Sequence, residues 1–166
     1  MNTCAECGFV YDLASAADVP SLAREHAVEY ADLLGADSVK LRERGKPDVW
    51  SPLEYACHVR DVLLAQRERV LAARRSDNPP ITAMGRDERV EHDGYAQQNP
   101  ADVARQIRDA ALLFANVLER LGDDDWERTL GFPYPEPADR SLRWLAVHTL
   151  HELRHHLMDI HRQLDG

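Results

Sequence analysis

Positive charge is what this chain most lacks: 20 Lys and Arg stand against 29 Asp and Glu in 166 residues, a formal net charge of −9. No basic surface is available to neutralise phosphates, so binding to DNA or RNA is not expected, and anionic membranes are disfavoured for the same reason. The sequence also lacks any run near the roughly 18 apolar residues of a membrane span, and its first thirty residues lack the basic start and apolar stretch of a signal peptide. A cytoplasmic protein is the expectation. Cysteine is scarce, and an odd number of three argues for free thiols or metal ligands rather than a disulfide frame. Internal repeats are missing, and no segment alternates with period two for long enough to mark a strand. Against these absences stands 44% apolar content, enough for a single domain with a real core.

The apolar residues recur at helical spacing. Asp18 is placed to cap a first helix through Leu22, Ala23, His26, Ala27, Tyr30, Leu33 and Leu34, ending before Gly45. Ser51-Pro52-Leu53-Glu54 combines a cap, a proline at the first helical position and the glutamate of a capping box, and predicts a second helix to about Arg74. Ser76 to Asn99, with Pro79-Pro80, Gly85 and Gly94, reads as a long connection with room for one helical turn, the length of a working loop. Asn99-Pro100 opens a third helix with Val103, Ile107, Ala110, Ala111, Phe114, Val117 and Leu118 at bundle spacing, closed by Gly122. Gly131 to Pro137 holds three prolines and cannot be helical; a fourth helix starts near Asp139 or Ser141. The predicted fold is all-α, a four-helix bundle over residues 18–166 preceded by a short CxxC extension, residues 1–17.

The last helix carries the chemistry. Leu142, Ala146, Leu150, Leu153, Leu157, Ile160 and Leu164 share a sector of about 80°, an ordinary core stripe. Opposite lie the histidines with Trp144, Val147 and Met158, a second apolar face that wants cover and lines a site, a groove or a subunit contact, which makes a homodimer a reasonable expectation. His151 and His155, four apart, stack one turn above each other and can grip one ion. A zinc-like ion in a catalytic site takes about three protein ligands and keeps one position free. The third donor must come from elsewhere, and His58, mid-helix among Tyr55 and Val62, is the best candidate. An open site of His58, His151 and His155 would favour binding and deprotonating a thiol or water. Asp61, three after His58, and Asp159, four after His155, are candidate orienters of the imidazoles, with plain surface charge as the other reading. His148 is a spare ligand, a proton carrier or a packing residue; His26, His92, His156 and His161 read as solvated or structural.

A capped helix with Trp50-Ser51-x-x-Glu54 and His58, followed by a final helix with His151-x-x-x-His155-His156 and Asp159-Ile160, resembles the DinB-like bundle proteins over residues 19–164. That family includes metal-dependent thiol S-transferases and mycothiol-dependent maleylpyruvate isomerases. The resemblance implies a divalent metal, zinc before nickel or another ion, on His58, His151 and His155. It also implies a low-molecular-weight thiol such as mycothiol, a small electrophile as its acceptor, and a dimer. Eighteen Arg against two Lys suit a GC-rich genome, compatible with a mycothiol-making source. A bundle that binds metal without catalysis, as a stress-response scaffold, is the alternative.

Two further motifs compete. His151-Glu152-Leu153-Arg154-His155 satisfies the H-E-x-x-H pattern of zinc peptidases, and His161 falls where a metzincin's third ligand would. Met158 occupies the position where metzincins use glycine to turn the chain, so proteolysis is the minor reading, and Glu152 is a surface or orienting carboxylate. Cys4-Ala5-Glu6-Cys7-Gly8 is the turn with which zinc knuckles aim two thiolates at one ion. It supplies half a site; completion needs histidines, Cys57 or a second subunit. A second zinc site, a redox pair and a loose terminus with two thiols are its three readings. Cys57 itself is expected in the core.

Overall fold

The computed structural model describes residues 3–36, 38–133 and 136–165. Four long helices form the bundle: α1 (Val19–Leu34), α3 (Pro52–Arg75), α5 (Pro100–Leu118) and α7 (Leu142–Leu164). Three short helices lie between them, α2 (Ser38–Arg42), α4 (Arg86–His92) and α6 (Asp123–Trp126). In the bundle α1 and α3 each pack against both α5 and α7, so the predicted four-helix architecture is the observed one. No helix among the described residues is long and apolar enough to cross a membrane.

Local chemistry sets most of the boundaries. The Ser51 hydroxyl accepts from the Glu54 N–H while the Glu54 carboxylate accepts from the Ser51 N–H at 2.7 Å, the complete capping box. Arg44 closes a fork on the same carboxylate at 2.6 and 2.8 Å, which ties the α2–α3 connection to the start of the helix. Asn99 caps α5 and Ser141 caps α7 through their side chains. Asp18 does not cap α1, because the chain arrives already helical from a 3-10 turn (Leu13–Asp18) and Asp12 caps that turn instead. The 76–99 connection holds α4 and a second 3-10 turn (Tyr95–Gln97).

A pair of short strands, β1 (Thr129–Phe132) and β2 (Ala138–Ser141), pairs antiparallel with Thr129 opposite Ser141. Four residues beside prolines give too short an alternation to be seen in sequence. Pro135 lies outside the described residues. β1 is extended on its other side by the 76–99 connection, where the Gly131 N–H donates to Pro79 O at 3.0 Å and the Ile81 N–H donates to Gly131 O at 3.1 Å.

The core stripe of α7 is buried from Leu142 to Ile160, and the Tyr30 hydroxyl donates to Leu153 O at 2.8 Å, fixing α1 on it. The second apolar face of α7 is covered within the chain. Phe9 and Tyr11 lie over it, with Phe9 5.3 Å from Tyr11 and 5.4 Å from His151, and Tyr11 stacked 6.2 Å from Trp144. The N-terminal segment therefore supplies part of the cover of a face that the sequence leaves to a site, a groove or a subunit contact.

Candidate metal centre

His58 and the α7 histidines meet in an arrangement that differs from the expected triad. At about 100° per residue, His151 and His155 point away from the middle of the core stripe, whereas Glu152 and His156 are rotated by about 100° toward the flank that meets α3. His58 is on α3 and inside the bundle, 4% exposed. It consequently meets Glu152 and His156. Its Nε2 lies 3.7 Å from Glu152 Oε2, and His156 Nε2 lies 3.5 Å from the same oxygen. The ligand atoms of His58, Glu152 and His156 all fall within 4.8 Å of one another. His151 and His155 fall in a different cluster, with Cys4 and Cys7, where Cys4 Sγ is 3.7 Å from His155 Nδ1. Among the described residues, no cluster unites His58 with His151 or His155.

The donor sets fit a cation. Around a tetrahedral ion with bonds of roughly 2.0–2.1 Å, neighbouring N and O donors stand about 3.4 Å apart. The 3.5 and 3.7 Å spacings match that geometry better than they match hydrogen bonds. Among the described residues, two buried ring nitrogens have no hydrogen-bond partner: His151 Nε2, and His58 Nδ1, which is not the His58 nitrogen that faces Glu152. A buried imidazole without partners is costly unless an ion or water completes it.

Electrostatics concentrate on Glu152. Burial pushes its carboxyl up, but His151, His156 and His58 outweigh that and hold it well below the usual carboxylate range, an anion at neutral pH. His156 is buried too, which disfavours its charge, yet Asp159 and Glu152 raise it to about 9. Asp159 Oδ2 sits 2.9 Å from His156 Nδ1, leaving Nε2 aimed at Glu152. Asp159 thus orients His156 more closely than His155, whose Nε2 is 3.7 Å away. Asp61 does not orient His58; it accepts from Tyr95 at 2.6 Å and from Arg60 at 2.8 Å, and holds the 86–97 connection to α3.

A cavity of about 720 Å³ opens on this centre, walled by Glu152, His156, Trp50, Tyr55, Trp144 and Arg140 among others. Arg140 stacks 4.7 Å over the Trp144 ring, and its Nε is buried without a partner. His148 lies between Trp144, 4.6 Å away and stacked, and Tyr11, whose hydroxyl is 2.9 Å from His148 Nδ1 and 2.9 Å from His151 Nδ1. Burial brings His148 down to about 4, so it is neutral. Cys57 is in the core, its thiol pushed up to about 12 by burial, and it stands apart from both clusters. The H-E-x-x-H residues are shared among groups: both histidines meet the cysteines, while Glu152 meets His58 and His156 and also lies 3.6 Å from His151 Nδ1. Glu152 and His156, read from the sequence as a surface or orienting carboxylate and a solvated or structural histidine, are the donors that meet His58, and the signal was their own i, i+4 spacing on the flank of the core stripe. Tyr11 had no such signal.

Residues 21–160 match the DinB superfamily, and the chain belongs to it. The fold is shared with two solved structures. One, 15% identical with a TM-score of 0.69 over 92% of this chain and 85% of the other, is YfiT from Bacillus subtilis, described as a probable metal-dependent hydrolase with an unusual four-helix bundle topology. The other is a mycothiol-dependent maleylpyruvate isomerase, 14% identical, TM-score 0.71, over 90% of this chain. This chain spans 60% of the isomerase's length. A comparison with curated proteins gives no match.

Proposed function

We propose that this protein is a divalent-metal-dependent enzyme in which His58, Glu152 and His156 hold the ion, and that it activates a small thiol of the mycothiol type toward a small electrophile, by transfer or isomerisation. The convergence of three ligand atoms, two of them on residues that wall a cavity, Glu152 and His156, carries the reading. Three protein ligands leave a position for a substrate atom, the pattern of catalytic rather than structural zinc. Zinc suits two imidazoles and a carboxylate; nickel is the other ion to test.

When bound, a divalent ion with these ligands keeps excess positive charge and lowers the pKa of a thiol or water placed on it. The protein's own groups do the rest. Asp159 fixes the His156 ring. Trp50, Tyr55 and Trp144 give the acceptor an apolar wall, and Arg140, with an unpaired Nε, offers a cation to an anionic acceptor or to a carboxylate of the thiol. The descriptions of the two similar structures, a probable hydrolase and a thiol-dependent isomerase, make hydrolysis and thiol chemistry the first classes to assay.

The test is turnover by zinc- or nickel-loaded protein of an epoxide or halogenated acceptor, with and without a low-molecular-weight thiol, beside E152Q. Thiol-dependent turnover lost in E152Q supports the reading. Equal rates in the two proteins, or no turnover under any loading, contradict it.

A further inference from the structure

We infer that Cys4, Cys7, His151 and His155 form a second metal site, closed and tetrahedral, that takes zinc and pins the N-terminal segment onto α7. It is separate from the proposed open centre, with which it shares no ligand.

The turn is built for it. Gly8 donates its N–H to Cys4 O at 2.9 Å, Cys4 donates its N–H to Phe9 O at 2.9 Å, and Thr3 bridges to Val10. Gly8 has φ +70°, the left-handed conformation that closes a C-x-x-C-G knuckle and that other residues adopt at a cost. The turn presents both sulfurs to the face of α7 on which His151 and His155 stand one turn apart. All four donor atoms lie within 4.8 Å of one another. The 3.7 Å from Cys4 Sγ to His155 Nδ1 compares with about 3.5 Å for S and N on a tetrahedral zinc with bonds of roughly 2.3 and 2.0–2.1 Å.

The remaining ring nitrogens are already engaged, as they are for zinc-bound histidines. Tyr11 holds His151 Nδ1 at 2.9 Å, which leaves Nε2, the buried nitrogen without a partner. Glu6 Oε2 is 3.4 Å from His155 Nε2, which leaves Nδ1, the nitrogen facing Cys4. Loading the site means that the two thiols give up two protons, and two thiolates with two neutral imidazoles cancel the charge of Zn²⁺. A neutral set of four protein ligands has no vacancy, so the site is structural. What it holds down is Phe9 and Tyr11, which lie over α7, Tyr11 also walling the cavity.

Reduced full-length protein titrated with cobalt(II) decides the matter, because only thiolate ligation produces an intense sulfur-to-cobalt charge-transfer band and the open centre contains no sulfur. The expected result is two equivalents bound, one carrying that band, with zinc abolishing it and shielding Cys4 and Cys7 from a thiol reagent. The doubly substituted C4S/C7S should lose the band and one equivalent of two, while H58A keeps the band. Absence of the band in the unsubstituted protein at saturating cobalt, or free reaction of both thiols in the zinc-loaded form, overturns the proposal whether or not C4S/C7S folds. Either failure leaves the E152Q turnover test standing.

Discussion

Replacing Tyr11 by Phe removes one oxygen and keeps the ring, so the stacks on Trp144 and His148 survive while the contacts of the hydroxyl to two imidazoles vanish. A hydroxyl carries one proton, and it therefore donates to one Nδ1 and accepts from the other. If His151 uses Nε2 for a metal, its Nδ1 bears hydrogen and donates to Tyr11, and Tyr11 donates to His148, which must then carry its proton on Nε2. Both imidazole side chains are largely buried, 15% and 13% exposed, so water replaces the lost partner poorly. Two hydrogen bonds at about 1 kcal/mol each, together with the cost of leaving ring nitrogens unsatisfied, give a loss of about 2–4 kcal/mol. Loss of an orienting group also weakens metal binding at His151 by about 10–100-fold. Denaturant unfolding of metal-free protein reads the first quantity, and a chelator competition reads the second. A Y11F stability within about 0.5 kcal/mol of the parent, the level of an ordinary surface change, would refute the reasoning.

Asp159→Asn removes the charge that orients His156 and should weaken zinc at the open centre by about 10–100-fold in a chelator competition, with the cobalt–sulfur band unchanged. Glu54→Gln should cost about 1–3 kcal/mol in denaturant unfolding; the pair with Arg44 is discounted because Arg44 is 37% exposed. Burial pushes the Glu54 carboxyl up, but Arg44 and the Ser51 N–H more than reverse this and leave it below its ordinary value. A depressed folded-state pKa means stabilisation that is present above the unfolded value of about 4.3 and lost as pH falls through the folded one. Acid titration of stability should therefore show a smaller loss below about pH 4 in E54Q than in the parent. An identical acid profile in the two proteins would count against the ion pair.

The bundle was legible because its signals are local. Ser51 with Glu54, Asn99 with Pro100, and the α7 core stripe each act within one or two helical turns, and each appears in the structure where the residues placed it. Asp18 misled because what precedes a cap matters, and the 3-10 turn before it left nothing to cap. The proposed metal ligands were harder. In His151-Glu152-x-x-His155-His156 two ladders with the same spacing lie side by side, and histidine content favours the one that faces away from the bundle. The choice depends on how α7 is rotated about its axis, which its leucines set; a donor on α3 can reach only the flank of that stripe. Contacts between the first dozen residues and α7 span more than a hundred positions and leave no periodic trace, so Tyr11 and the pairing of Cys4 with His155 emerge only in three dimensions.

Diffraction at the zinc absorption edge from crystals of zinc-loaded protein locates the ion directly. Besides the peak at Cys4, Cys7, His151 and His155, the account predicts an anomalous peak among His58 Nε2, the Glu152 carboxylate and His156 Nε2. An ion bound jointly by His58, His151 and His155, or no peak beside Glu152, would contradict it.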